Sequence, residues 1–172
     1  MHRGTSFDMR FIRRFIRALA LVALIVALHA ELWGAESVRA LVGNRPVLFP
    51  LAVALALGVA VHELLHLAGY VWLGGATIDA VHLEWRGVVI LARCDVPLPA
   101  RSYRAAVALP GVVLGLVPTI VGLGSGVAWI TVYGAVMLGA SVGDMAVLWT
   151  LRRYRAEDEV LDTSGGRGGQ ES

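Results

Sequence analysis

The stretch Val47–Leu73 constrains this chain more than any other. It is apolar almost throughout and long enough to cross a bilayer as a helix, which takes about 20 residues. Yet the segment "VAVHELLHLAGY" (59–70) sets His62, Glu63 and His66 inside it. Ionisable groups within a span are costly, and where they occur they usually have a function.

Three more runs approach spanning length: about Ala18 to Trp33, about Tyr103 to Leu123 with Pro110 and Pro118 inside, and about Val127 to Leu151. The chain is 57% hydrophobic with a mean hydropathy of +0.69, against about 45–50% apolar for a soluble domain. The expectation is an all-α membrane protein with four transmembrane helices. A small cytoplasmic-side β-hairpin would lie between helices 2 and 3. The first span is the shortest, and His29 and Glu31 weaken it; both are expected at the membrane interface. The basic run "MRFIRRFIR" before it has the charge of a signal-peptide start, but no clean small-x-small cleavage site follows, so an uncleaved helix is expected. "GLGSG" (122–126) reads as a turn joining two antiparallel spans.

Arginine supplies all the basic charge; there is no lysine. Arg3, Arg10, Arg13, Arg14 and Arg17 precede the first span. Arg86, Arg93, Arg101 and Arg104 lie between or beside the second and third, and Arg152, Arg153, Arg155 and Arg167 follow the last. Only Arg39 and Arg45 fall on the opposite side. The positive-inside bias then puts both termini in the cytoplasm of a cell-membrane protein. A net charge of +2 gives no case for nucleic acid. Cys94 is the only cysteine, so no intrachain disulfide can form.

"VHLEWR" (81–86) alternates apolar and polar residues, the period of a half-buried strand. Gly87 is a turn candidate and "VVILA" (88–92) a second strand. The expected organisation is a basic cytoplasmic segment at 1–17, a polytopic metallopeptidase-like domain at 18–154 and a disordered cytoplasmic tail at 155–172.

HExxH on a helix puts both histidines on one face, where they can share a metal, with the glutamate beside them free to act on a water. A catalytic zinc usually takes a third protein ligand. Asp144, in "GASVGDMAVLW" (139–149), is the one acid in the fourth span. At about 1.5 Å per residue, His66 and Asp144 both fall about 10 Å inside the cytoplasmic edge. Gly139 and Gly143 would let helices approach closely beside Asp144. Pro110 with Gly111 would kink span three and free backbone carbonyls for another partner. The alternatives are a structural polar network of His62, Glu63 and His66 between helices, with Asp144 a buried acid hydrogen-bonded to a neighbouring helix, or a haem or other metal held without hydrolysis. His82 is expected to be solvated, and Cys94 a small buried residue.

"HELLHLAGYVWLGG", the hairpin, "CDVPLPARSYRAAVALPG" and "GASVGD" resemble the small integral-membrane putative zincin peptidases, over about residues 50–162. More distantly they are similar to site-2 protease type intramembrane metalloproteases. The resemblance implies His62, His66 and Asp144 as metal ligands, Glu63 as catalytic base and one Zn2+ per chain. The expected function is a zinc-dependent membrane-embedded endopeptidase acting on membrane or membrane-proximal substrates. Its expected partners are membrane lipids and a protein or peptide substrate, with no nucleic acid. The alternative is a non-enzymatic metal-binding membrane protein: a sensor, carrier or assembly factor.

Overall fold

The computed structural model describes residues 9–86 and 89–161. The rest of the basic segment (1–8), the turn candidate Gly87 and the end of the tail (162–172) lie outside the described residues. The chain is an all-α membrane protein with a small hairpin between helices. Three helical stretches are long and apolar enough to cross a membrane: Ile12–Trp33, Arg45–Trp72 and Ala100–Ser125. A fourth, bent by 48°, combines Ala128–Ala140 with Val142–Leu151.

Two compact units can be described. One comprises residues up to 59 with 111–146. It holds α1 (Met9–Trp33), α2 (Ala35–Gly43), the first half of α3 (Arg45–Trp72), a π-helical turn at Gly111–Leu116, α5 (Val117–Ser125) and α6 (Ala128–Ala140). α1 and α5 both pack on α6. In lipid no hydrophobic force drives helices together, so close approach over small residues has to do it. Gly122 lies under Thr131 and Gly134 under Thr119; at each, an added Cβ would stand 2.4 Å from the facing backbone nitrogen.

Several expectations change here. α1 starts at Met9 rather than at 18, so Arg10 to Arg17 belong to the same helix as the span. α5 continues through "GLGS" to Ser125. The turn is confined to Gly126, whose φ of 75° and N–H bond to Gly122 O close the helix. Trp33 fixes that corner, donating from Nε1 to Leu123 O at 2.7 Å. His29 is not interfacial. It is 1% exposed and hydrogen-bonded through Nδ1 to Thr131 Oγ1 at 2.8 Å, because α6 offers a polar partner where α1 packs. Glu31 is exposed. Gly139 meets Val22 and Ala18 of α1, but Gly143 has nothing within 4 Å, so the two do not form one packing face. The break between them is at Ser141, whose hydroxyl bonds back to Met137 O at 3.1 Å, an arrangement that bends helices.

The other unit comprises residues 60–110 and 147 onward. It holds the second half of α3, the hairpin β1 (Val81–Arg86) and β2 (Val89–Cys94), β3 (Leu98–Pro99), α4 (Ala100–Pro110), the end of α7 (Val142–Leu151) and β4 (Glu159–Val160). Its core gathers Tyr70, Ala92, Cys94, Leu98, Tyr103, Ala106, Val107 and Leu151. Cys94 is a small buried residue, as expected. The hairpin is antiparallel with Val81 opposite Cys94. The apolar side of β1 shares its face with the buried Ala92 and Cys94, and Val81 packs on that core, while Leu83 and Trp85 further along are 41% and 71% exposed. On the opposite face Arg93 is buried against Glu84 at 2.7 Å, and that cross-strand carboxylate neutralises it. His82 lies exposed, 3.2 Å from Asp95.

The segment from 155 to 161 has structure. β4 pairs antiparallel with β3, and Ala100 N–H donates to Asp158 O at 2.8 Å. Arg104 secures the approach by donating to Leu151 O at 2.7 Å and to Tyr154 O, capping the end of α7.

Gly134→Ala should lower stability by about 1–3 kcal/mol, as overpacking does. Gly124→Ala, with nothing within 4 Å, should be neutral or slightly stabilising. Thermal unfolding of both variants in detergent checks this.

Candidate metal centre

The HELLH segment lies on α3, a helix of 28 residues. Spacing of four therefore sets His62 and His66 one above the other. Their rings meet edge to face, with centroids 4.9 Å apart, and both are buried. Below them the stack continues from His66 to Tyr70 at 6.4 Å and from Tyr70 to Tyr103 at 5.6 Å.

His66 is oriented by α4. Its Nδ1 lies 3.2 Å from the carbonyl oxygen of Ala106. A carbonyl can only accept, so the bond needs the hydrogen on Nδ1, and the lone pair of a neutral ring then sits on Nε2. That is the usual way a ligating histidine is held. The sequence explains why this carbonyl is available. In an α-helix, Ala106 O would accept from residue 110, but residue 110 is proline and has no N–H. The helix does not break there; it passes into the π turn at Gly111–Leu116, within a single apolar stretch from Ala100 to Ser125. Gly69 permits the approach. A Cβ at Gly69 would stand 2.7 Å from Ala106 Cα, so a larger residue would push the two helices apart.

Glu63 is half-buried and points a different way. Its Oε2 accepts a hydrogen bond from the backbone N–H of Ala92 at 2.8 Å. The helix spacing thus separates the acid from the two imidazoles by role. Asp144 sits in the first turn of α7 and is partly buried.

His62 and His66 each offer a buried imidazole on one face of α3, and Asp144 offers a carboxylate on α7. Two neutral imidazoles and a carboxylate suit zinc, and equally other divalent first-row metals. Sequence reasoning missed the Ala92 amide as a partner of Glu63, since no motif reports which backbone N–H faces a side chain 29 residues away. It did signal a freed carbonyl through Pro110, but not that His66 would take it.

Residues 55–158, more than half of the chain, match the model of a family described as "Putative zincin peptidase". The chain belongs to this family. Its members are grouped as metallopeptidases of the zincin kind, and the matched range contains the whole HELLH segment, the hairpin and Asp144. Searches of curated proteins and of solved structures give no match.

Pro110→Ala restores an N–H that competes for the Ala106 carbonyl. It should weaken metal binding by about 10–100-fold, the usual effect of losing a partner behind a ligand. Zinc titration against a chelator of known affinity measures it, with Pro118→Ala as a helix control.

Proposed function

We propose that this protein is a zinc-dependent membrane-embedded endopeptidase that cleaves membrane or membrane-proximal polypeptides. The observation that carries the reading is the buried His62 and His66 pair on one face of α3, beside a glutamate that the same helix turns away from them. A site built only to bind metal has no use for that adjacent acid.

His62, His66 and Asp144 would hold one zinc per chain. Bound there, zinc supplies a Lewis acid and brings the pKa of water to about 7. Glu63 does the proton work. It removes a proton from the attacking water while the water oxygen forms a bond to the peptide carbonyl carbon. It then delivers that proton to the amide nitrogen as the C–N bond breaks. The products are a carboxylate and an amine. His66 stays fixed by Ala106 throughout, so its ring does not rotate out of the group.

The substrate reading follows from the setting. A helical segment has its carbonyls bonded internally, so it must unwind before one is attacked. An extended segment can pair with a strand edge of the hairpin. The arginine distribution supports a cell-membrane protein with both termini in the cytoplasm and the hairpin on that side.

The test is elemental analysis of protein purified in detergent. Wild type should carry about one zinc, and His62→Ala and Asp144→Ala should each lose it. Glu63→Gln should keep the metal and abolish hydrolysis of unfolded polypeptide substrates. A folded wild type that takes up no metal after zinc reconstitution overturns the reading. Metal retained with no turnover against any polypeptide leaves a metal-binding membrane protein.

A further inference from the structure

The hairpin's hydrogen-bond phase places one backbone group where nothing in the strand pair uses it. Asp95 N–H donates to Ala80 O at 2.9 Å, just outside the Val81–Cys94 pair. In an antiparallel pair, bonded and non-bonded residue pairs alternate. His82 with Arg93 and Glu84 with Leu91 are therefore bonded pairs, and Leu83 with Ala92 is not. The Ala92 N–H thus points away from β1, off the outer edge of β2. No further strand pairs with that edge among the described residues. What the N–H meets is Glu63 Oε2, at 2.8 Å. The contact is sheltered, with Ala92 8% exposed.

A glutamate side chain rotates about three bonds and reaches a wide arc from a helix. A base that moves a proton has to keep one oxygen in one place. Here one of the two carboxylate oxygens is tied to a strand backbone, which has little freedom of its own. We infer that the backbone amide of Ala92 is the positioning group for Glu63: it fixes Oε2 and leaves Oε1 to take the proton. A hydrogen bond to a carboxylate is about twice as strong as one between neutral groups, so it can hold that rotamer. β2 is then part of the proton-transfer apparatus, and a shift of the hairpin moves the base. An extended substrate pairing on the same edge also finds the Ala92 N–H already engaged.

This inference rests on the reading of Glu63 as the base, but its test reads the Glu63 carboxylate itself and needs no substrate. The variant replaces the amide at position 92 by an ester, using the hydroxy acid that matches alanine, so that only the N–H is lost. Polarised infrared spectra of the full-length protein in oriented bilayers, each taken as a difference against Glu63→Gln, isolate the Glu63 carboxylate band. In wild type this band should be dichroic and shifted by hydrogen bonding. In the ester it should move to the free-carboxylate position and lose its dichroism, with helix amide dichroism and metal content unchanged. A band with the same frequency and dichroism in both overturns the inference. If the ester does not fold, amide exchange at Ala92 decides. Glu63→Ala should speed it by about tenfold, the loss of one such bond, and Glu63→Gln, which still offers an acceptor, much less. Equal exchange in all three proteins overturns it. Positive results here with no peptide hydrolysis would remove the enzyme reading alone.

Discussion

The hydrogen bond from His66 Nδ1 to the Ala106 carbonyl is the contact on which the proposed metal centre depends. A histidine within a span has two nitrogens and no water to choose between them, so its surroundings must set the tautomer. Here a proline does so at a distance. Pro110 withholds the N–H that would have claimed Ala106 O, the helix passes into a π turn, and the freed oxygen finds an imidazole instead. The cost of an unsatisfied buried carbonyl is avoided by the same bond that aims the ligand.

That bond needs two helices unusually close together, and glycine makes it so. Gly69 lets α3 come against Ala106 of α4 with no side chain between them. The same device recurs where α5 crosses α6, at Gly122 and Gly134. Lipid tails are as apolar as leucine side chains, so burying more leucine gains little between membrane helices. Small residues that bring backbones together gain dispersion contacts and bring polar groups within reach of one another. The His29–Thr131 bond, where α1 packs on α6, forms under that condition.

Much of the architecture was legible because membrane spans and motifs are local. An apolar run of spanning length has few folded outcomes, since every backbone group must be bonded internally. Thus α1, α3 and the α4–α5 stretch follow from their own composition, and alternation in Val81–Arg86 gives β1. Asp144 stood out because it is the one acid in its span. The readings that changed are those that rest on partners far along the chain. His29 looked interfacial until Thr131, 102 residues away, was seen to bury it. The alternation in β1 was right in period, but its apolar face is covered only at the Val81 end, and Leu83 and Trp85 stay exposed, while on the other face Arg93 is buried because Glu84 neutralises it. Residues 155–161 are polar enough to look disordered, yet Val160 and Glu159 pair with Leu98 and Pro99, two residues too short to register as a strand.

By itself, then, the sequence determined the helices, the shared face of His62 and His66, and Glu63 on a face apart from them. These depend only on hydropathy and on the 3.6-residue turn, which neighbouring residues set among themselves. The tertiary structure alone decided which nitrogen of His66 carries the proton, which backbone N–H holds Glu63, and where the last span breaks. Each of these is a choice among hydrogen-bond partners. Partners are chosen by which backbones come within about 3 Å of each other, and no local pattern records that distance.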